Sequence, residues 1–104
     1  MDAVIALTTL PATADADRFA RTLVEQRLAA CVNVLPVMQS TYRWQGSVHR
    51  DDERQVVIKT WRDRVGDLEA GVRALHPYDV PEWLVVETGT GSEPYLAWLK
   101  AETR

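Results

Sequence analysis

The chain has one cysteine, one phenylalanine, no cluster of lysine and arginine, and no apolar run close to the roughly 20 residues a helix needs to cross a bilayer. Each shortage excludes something. A lone Cys31 cannot close an internal disulfide, so the fold must be held by packing, and its thiol suits a reducing compartment. The 12 lysines and arginines against 15 aspartates and glutamates leave a formal net charge of -3, which offers a nucleic acid no basic face. Glycine-rich phosphate cradles are missing too, because Gly89-Thr90-Gly91 lacks the remainder of either the P-loop or the dinucleotide pattern. The opening carries Asp2 where a secretory leader carries basic charge, so a cytoplasmic protein with no membrane partner is expected.

What is present suffices for a single domain over residues 1–104: the side chains are 46% hydrophobic, and a chain of this length buries roughly 60 to 70% of its unfolded surface on folding. Ala3 to Leu7 is a short apolar run, read as a buried strand stopped by Pro11. With Thr13 as N-cap, Ala16, Phe19, Ala20, Leu23 and Val24 recur at helical spacing and predict an amphipathic helix to about Arg27. Cys31 to Leu35 turns β-branched, Pro36 interrupts it, and Val37 to Trp44 continues it. Gln45-Gly46 then supplies the turn of a long hairpin whose second arm runs from Ser47 to Trp61. Asp63 is expected to cap a second helix carrying Val65, Leu68, Val72 and Leu75, weakened by Gly66 and Gly71 and stopped by Pro77. Trp83 to Glu87 reads as a last strand, and Ser92 as the cap of a C-terminal helix with Tyr95, Leu96 and Leu99.

The order β-α-β-β-α-β-α predicts an α+β fold, a ferredoxin-like sandwich with a four-stranded antiparallel sheet and two helices on one face. The hairpin arms outrun the other strands, and natural proteins cover unpaired edges of that length, often with another copy of the chain. Trp44, Trp61, Trp83 and Trp98 either line the core or point to the same homo-oligomer.

The segment His76-Pro77-Tyr78-Asp79-Val80-Pro81-Glu82 concentrates ionisable side chains between two prolines that stiffen it. An imidazole with carboxylates suits copper, zinc or nickel, but no pair here has a diagnostic ligand spacing. In the alternative, His76 satisfies carbonyls at the helix end and Tyr78 simply packs. Cys31 enters a strand behind Leu28-Ala29-Ala30, the setting of a small buried hydrophobe, and nothing in sequence supplies the basic neighbour of a nucleophile. His49 and the run Asp51 to Glu53 read as a solvated face of the hairpin. Lys59, following Val56 to Ile58, has to snorkel or meet a carboxylate from another element or subunit. No catalytic constellation emerges, and a non-catalytic protein is expected.

Taken together, these fragments resemble the CutA family, the divalent-cation tolerance proteins. The matching residues are Leu28-Ala29-Ala30-Cys31-Val32-Asn33, then Ser40, Tyr42, Trp44 and Gly46, then Glu53 with Ile58-Lys59-Thr60, then His76-Pro77-Tyr78 with Pro81-Glu82, and finally Tyr95-Leu96 with Trp98. The resemblance implies a ferredoxin-like protomer in a tight homotrimer similar to the PII signalling proteins, and a role in tolerance of divalent metals such as copper. It also implies clefts between subunits, here with Tyr42, Trp44, Lys59, His76, Tyr78 and Glu82. Metal binding in the family is associated with the histidine of His-Pro-Tyr, here His76. Some members add a neighbouring histidine and a cysteine of the first strand, where this chain has Leu75 and Thr8. Weak, subunit-shared copper coordination at His76 is therefore the expectation. The rival is a PII-like signalling or scaffold trimer that takes a small anion or a partner protein in those clefts, with Lys59 supplying charge.

Overall fold

The computed structural model describes residues 2–104. Its elements are β1 (Ala3–Pro11), α1 (Ala16–Glu25), β2 (Cys31–Trp44), β3 (Ser47–Trp61), a single 3-10 turn at Arg62–Arg64, α2 (Val65–Leu75), β4 (Leu84–Glu87) and α3 (Glu93–Glu102). The strands form one sheet in the order β2-β3-β1-β4 with every neighbouring pair antiparallel, the ferredoxin-like arrangement that the element order predicts.

Alternation along the strands sorts side chains onto two faces. Val4, Ala6, Thr8 and Leu10 of β1 lie beside Val56, Ile58 and Thr60 of β3, all buried. Phe19 and Leu23 of α1 and Leu68 and Val72 of α2 close over Ala6, Leu10, Val56 and Ile58 to make the main core. Each fully buried Leu or Ile there contributes about 1.5 to 3 kcal/mol. On the opposite face α3 covers one end only, packing Leu99 against Ala3 and Ala30, with Trp61 half-buried beside them. Trp83 is half-buried against the main core, whereas Trp44 and Trp98 stay 45% and 41% exposed, so no tryptophan is a fully enclosed core residue.

Several local details differ from expectation, each for a visible reason. β1 does end at Pro11, with Thr8, Thr9 and Leu10 paired to Val56, Gln55 and Arg54 of the long β3, but other ends and caps are set differently. Asp15, not Thr13, caps α1, accepting the Arg18 amide at 3.0 Å. The helix ends two residues before Arg27, which turns the chain at φ 58°. Asp63 caps nothing: the Arg104 guanidinium grips its two oxygens at 2.6 and 2.7 Å and holds the carboxyl below the usual carboxylate range. Ser92 occupies the N-cap position of α3 but its hydroxyl makes no capping bond.

The hairpin itself has a tight turn and a bulge. Gln45 and Gly46 are both at positive φ, the conformation a two-residue connection requires. Between Val34, opposite Val56, and Val37, opposite Arg54, β2 takes one more step than β3, and the extra step contains Pro36. Before it Cys31 and Asn33 share the α3 face with Lys59 and Val57; after it Met38, Ser40, Tyr42 and Trp44 share that face with Glu53, Asp51, His49 and Ser47.

Candidate functional site

β4 pairs only with Val4–Leu7, which leaves the second half of β1 without a strand on that side. The loop after α2 comes in there. His76 leaves the helix in an extended conformation, and its ring is fixed at both nitrogens: Nε2 lies 2.6 Å from the Thr9 carbonyl oxygen, and Nδ1 accepts the Tyr78 amide at 3.1 Å. An amide can only donate, so Nδ1 is the acceptor and Nε2–H donates to Thr9, which defines one neutral tautomer. The loop is thereby stapled to β1, and the Tyr78 ring tilts against the imidazole at 4.9 Å between centroids.

This staple carries Tyr78 across to β3, where its hydroxyl donates to Glu53 Oε2 at 2.8 Å. Burial first, and the bond to Glu53 second, push the Tyr78 phenol well above its usual range, so it remains a donor. Glu53 is only 8% exposed despite its place in an acidic run. Beside it Gln55 donates from Nε2 both to the Thr8 carbonyl and to Glu82 Oε2, each at 2.8 Å, and so fixes the end of the loop. Further along the hairpin the Tyr42 hydroxyl donates to Asp51, which raises the Tyr42 phenol too, and the ring stacks on His49 at 5.7 Å.

Loop and hairpin together enclose a cleft of about 580 Å³. Met38, Ser40, Tyr42 and Trp44 form one wall, Pro77, Tyr78, Asp79, Val80 and Glu82 the other, and Thr9, Glu53 and Gln55 the floor. Of the residues expected in a cleft, Tyr42, Trp44, Tyr78 and Glu82 line this one, and His76 supports it from behind through Thr9 and Tyr78. Lys59 lies elsewhere, lining a smaller cavity of about 190 Å³ with Ile5, Thr88 and Tyr95. Cys31 is a half-buried free thiol, 3.8 Å from Asn33 Oδ1 and opposite Lys59 across the strands. Sequence reasoning missed Glu53 as a buried residue, and missed Thr9, Met38 and Gln55 altogether. Strand alternation from Lys59 back through Val57 and Gln55 to Glu53 is the signal that places it on this face.

As donors to a cation the cleft offers carboxylate, phenol and amide oxygens. Among the described residues no three His, Cys, Asp or Glu side chains converge as a ligand set. Both nitrogens of His76 are engaged within the protomer, so a metal at this imidazole must displace the Tyr78 amide or the Thr9 carbonyl.

Comparison with known proteins converges on one family. The family model described as CutA1 divalent ion tolerance protein matches residues 4–102. The divalent-cation tolerance protein CutA of Thermus thermophilus is 43% identical over 99 residues, covering 95% of this chain and 96% of that protein. The chloroplastic CutA of Arabidopsis thaliana is 39% identical over 97% of this chain, which spans 56% of that longer protein. Among solved structures, CutA from Xylella fastidiosa superposes with a TM-score of 0.95 at 39% identity, with all of both chains covered. A match that takes in both hairpin arms, the His76 loop and α3 leaves no element of the fold outside it, and the chain belongs to the CutA1 divalent ion tolerance family.

Proposed function

We propose that this protein is a cytoplasmic, non-catalytic, trimeric protein of divalent-metal tolerance, copper being the metal, in which the clefts lie between subunits. Family membership is the observation that carries the reading. The surface supports the trimer: β2 is an outer strand of 14 residues, and Leu84 and Val86 of the opposite outer strand are 57% and 44% exposed. Apolar outer strands of this kind favour cover by a further chain.

The staple at His76 gives weak metal binding a physical cause. A copper ion taking Nδ1 leaves the Tyr78 amide without its acceptor, a loss of about 1 to 3 kcal/mol, or about five- to 150-fold in affinity. Remaining ligands then come from a neighbouring subunit. Within one protomer none of the cleft's lining side chains is a lysine, arginine or histidine, so a small anion there needs its counter-charge from a neighbouring subunit.

Native mass spectrometry of the metal-stripped protein, titrated with copper and then zinc, tests the proposal. The expected result is a trimer that takes up one copper per subunit, saturably, with uptake lost in His76→Ala. A monomer overturns the assembly, and a trimer that stays metal-free, or loads equally without the imidazole, overturns the metal site.

A further inference from the structure

The loop between α2 and β4 hangs on few bonds. Of the backbone groups of residues 77–82, the Tyr78 amide alone makes a hydrogen bond among the described residues, and its acceptor is His76 Nδ1 at 3.1 Å. Two side chains complete the fastening: the Tyr78 phenol donates to Glu53, and Glu82 accepts from Gln55, each at 2.8 Å. Pro77 and Pro81 have no amide hydrogen to add, and Asp79 and Val80 between them are exposed. A metal on the imidazole removes the one backbone tie whichever nitrogen it takes. A neutral imidazole has a single nitrogen lone pair to give. Nδ1 already shares it with the Tyr78 amide, so a metal there displaces that amide directly. A metal at Nε2 needs the ring proton moved to Nδ1, where it opposes the Tyr78 N–H as donor against donor, and the bond to the Thr9 carbonyl is lost as well.

We propose that His76 is a switch as well as a ligand: metal at its ring releases the loop, Tyr78 leaves Glu53, and the wall of the cleft carrying Pro77, Tyr78, Asp79 and Val80 opens while Gln55 still holds Glu82. This rests on the metal reading of His76 given above and adds to it what binding does. Because the clefts lie between subunits on that reading, a moved wall changes what the next protomer meets. Such coupling is reciprocal, so a change that loosens the loop beforehand must tighten the metal.

Tyr78→Phe tests that reciprocity. It keeps the backbone amide and the ring but deletes the phenol bond to Glu53, which the metal-loaded loop has already given up. Isothermal titration of the full-length protein with copper is expected to show the variant binding roughly five- to tenfold more tightly than the wild type, the size of one hydrogen bond. Equal affinity means that Tyr78 stays on Glu53 in the loaded protein, and weaker binding means that the phenol is itself a ligand; either result overturns the proposal. Hydrogen exchange read by mass spectrometry gives the second measurement. Residues 77–82 of the wild type are expected to exchange at least about tenfold faster with copper than in chelator, and to match His76→Ala in chelator, with circular dichroism confirming that both variants are folded. Unchanged exchange on copper loading, or a loop equally protected in His76→Ala, overturns the switch and leaves metal uptake standing. No copper uptake by the wild type, or equal uptake by His76→Ala, overturns the metal site and the switch with it, so the two failures are told apart.

Discussion

Removing the imidazole of His76 should destabilise the protein in the complete absence of metal. His76→Ala deletes the donor to the Thr9 carbonyl, at 2.6 Å, and the acceptor of the Tyr78 amide, at 3.1 Å. At about 1 kcal/mol net for each bond, and about 0.5 to 1 kcal/mol for the ring contact with Tyr78, the loss comes to roughly 2 to 3 kcal/mol. Urea unfolding in chelator reads it as a lower midpoint with an unchanged slope. Protomer concentration must be held fixed, since assembly makes stability depend on it. His76→Gln, whose side-chain amide still donates towards Thr9, should recover about half of the loss. A change below about 0.5 kcal/mol, the size of an ordinary surface substitution, would refute the reasoning and leave the imidazole free to be a ligand alone.

The two glycines of α2 should respond to alanine with opposite sign. A Cβ at Gly66 meets nothing within 4 Å, so Gly66→Ala should stabilise by about 0.5 to 1 kcal/mol, whereas at Gly71 it comes to 2.8 Å from Leu28 Cδ1 and the overpacking, about 1 to 3 kcal/mol, should outweigh that gain; equal stabilisation in urea would contradict this. Thr8 buries a hydroxyl with no partner among the described residues, so Thr8→Val should raise stability by about 1 kcal/mol, and a lower unfolding midpoint would count against it. The raised phenol of Tyr78 makes its bond to Glu53 a stabilising contribution that is complete below the ordinary tyrosine value of about 10 and is lost only as pH climbs through the higher folded value. In a tyrosinate absorbance titration, Glu53→Gln should move one phenol back towards the ordinary range; a superimposable curve would exclude the bond.

Topology was legible because local patterns agree with it. The continuous apolar run from Ala3 to Leu7, helical spacing through Phe19 and Leu23, and the Gly46 turn each select an element, and short antiparallel connections leave few ways to join them. Tyr42, Trp44, Tyr78 and Glu82, grouped by the family resemblance, line one cleft of the protomer. What stayed hidden depends on partners distant in sequence. Glu53 reads as solvated among Asp51 and Asp52, and only Tyr78, 25 residues on, makes it a buried floor. His76 reads as a helix-end group or a ligand, yet its ring meets Thr9, 67 residues earlier. Asp63 sits where a cap belongs, and the terminal Arg104 takes it instead. Side-chain pairing across such separations leaves no periodic trace, so spacing along the chain cannot reveal it.

The bulge at Pro36 decides which face of the distal arm meets the loop. Up to Asn33 the odd-numbered residues of β2 face α3's side of the sheet, and from Met38 onward the even-numbered ones do. One inserted residue therefore works as a phase switch in a two-letter code. Removing one residue there would leave Tyr42 and Trp44 opposite His49 and Ser47, whereas straightening β2 with all its residues kept would turn them to the far side of the sheet and put Thr41 and Arg43 opposite His49 and Ser47 in their place. The bulge, rather than strand length alone, thus sets which side chains of the distal arm face the cleft, and it is the first place to compare among chains that share this architecture but differ in what they hold.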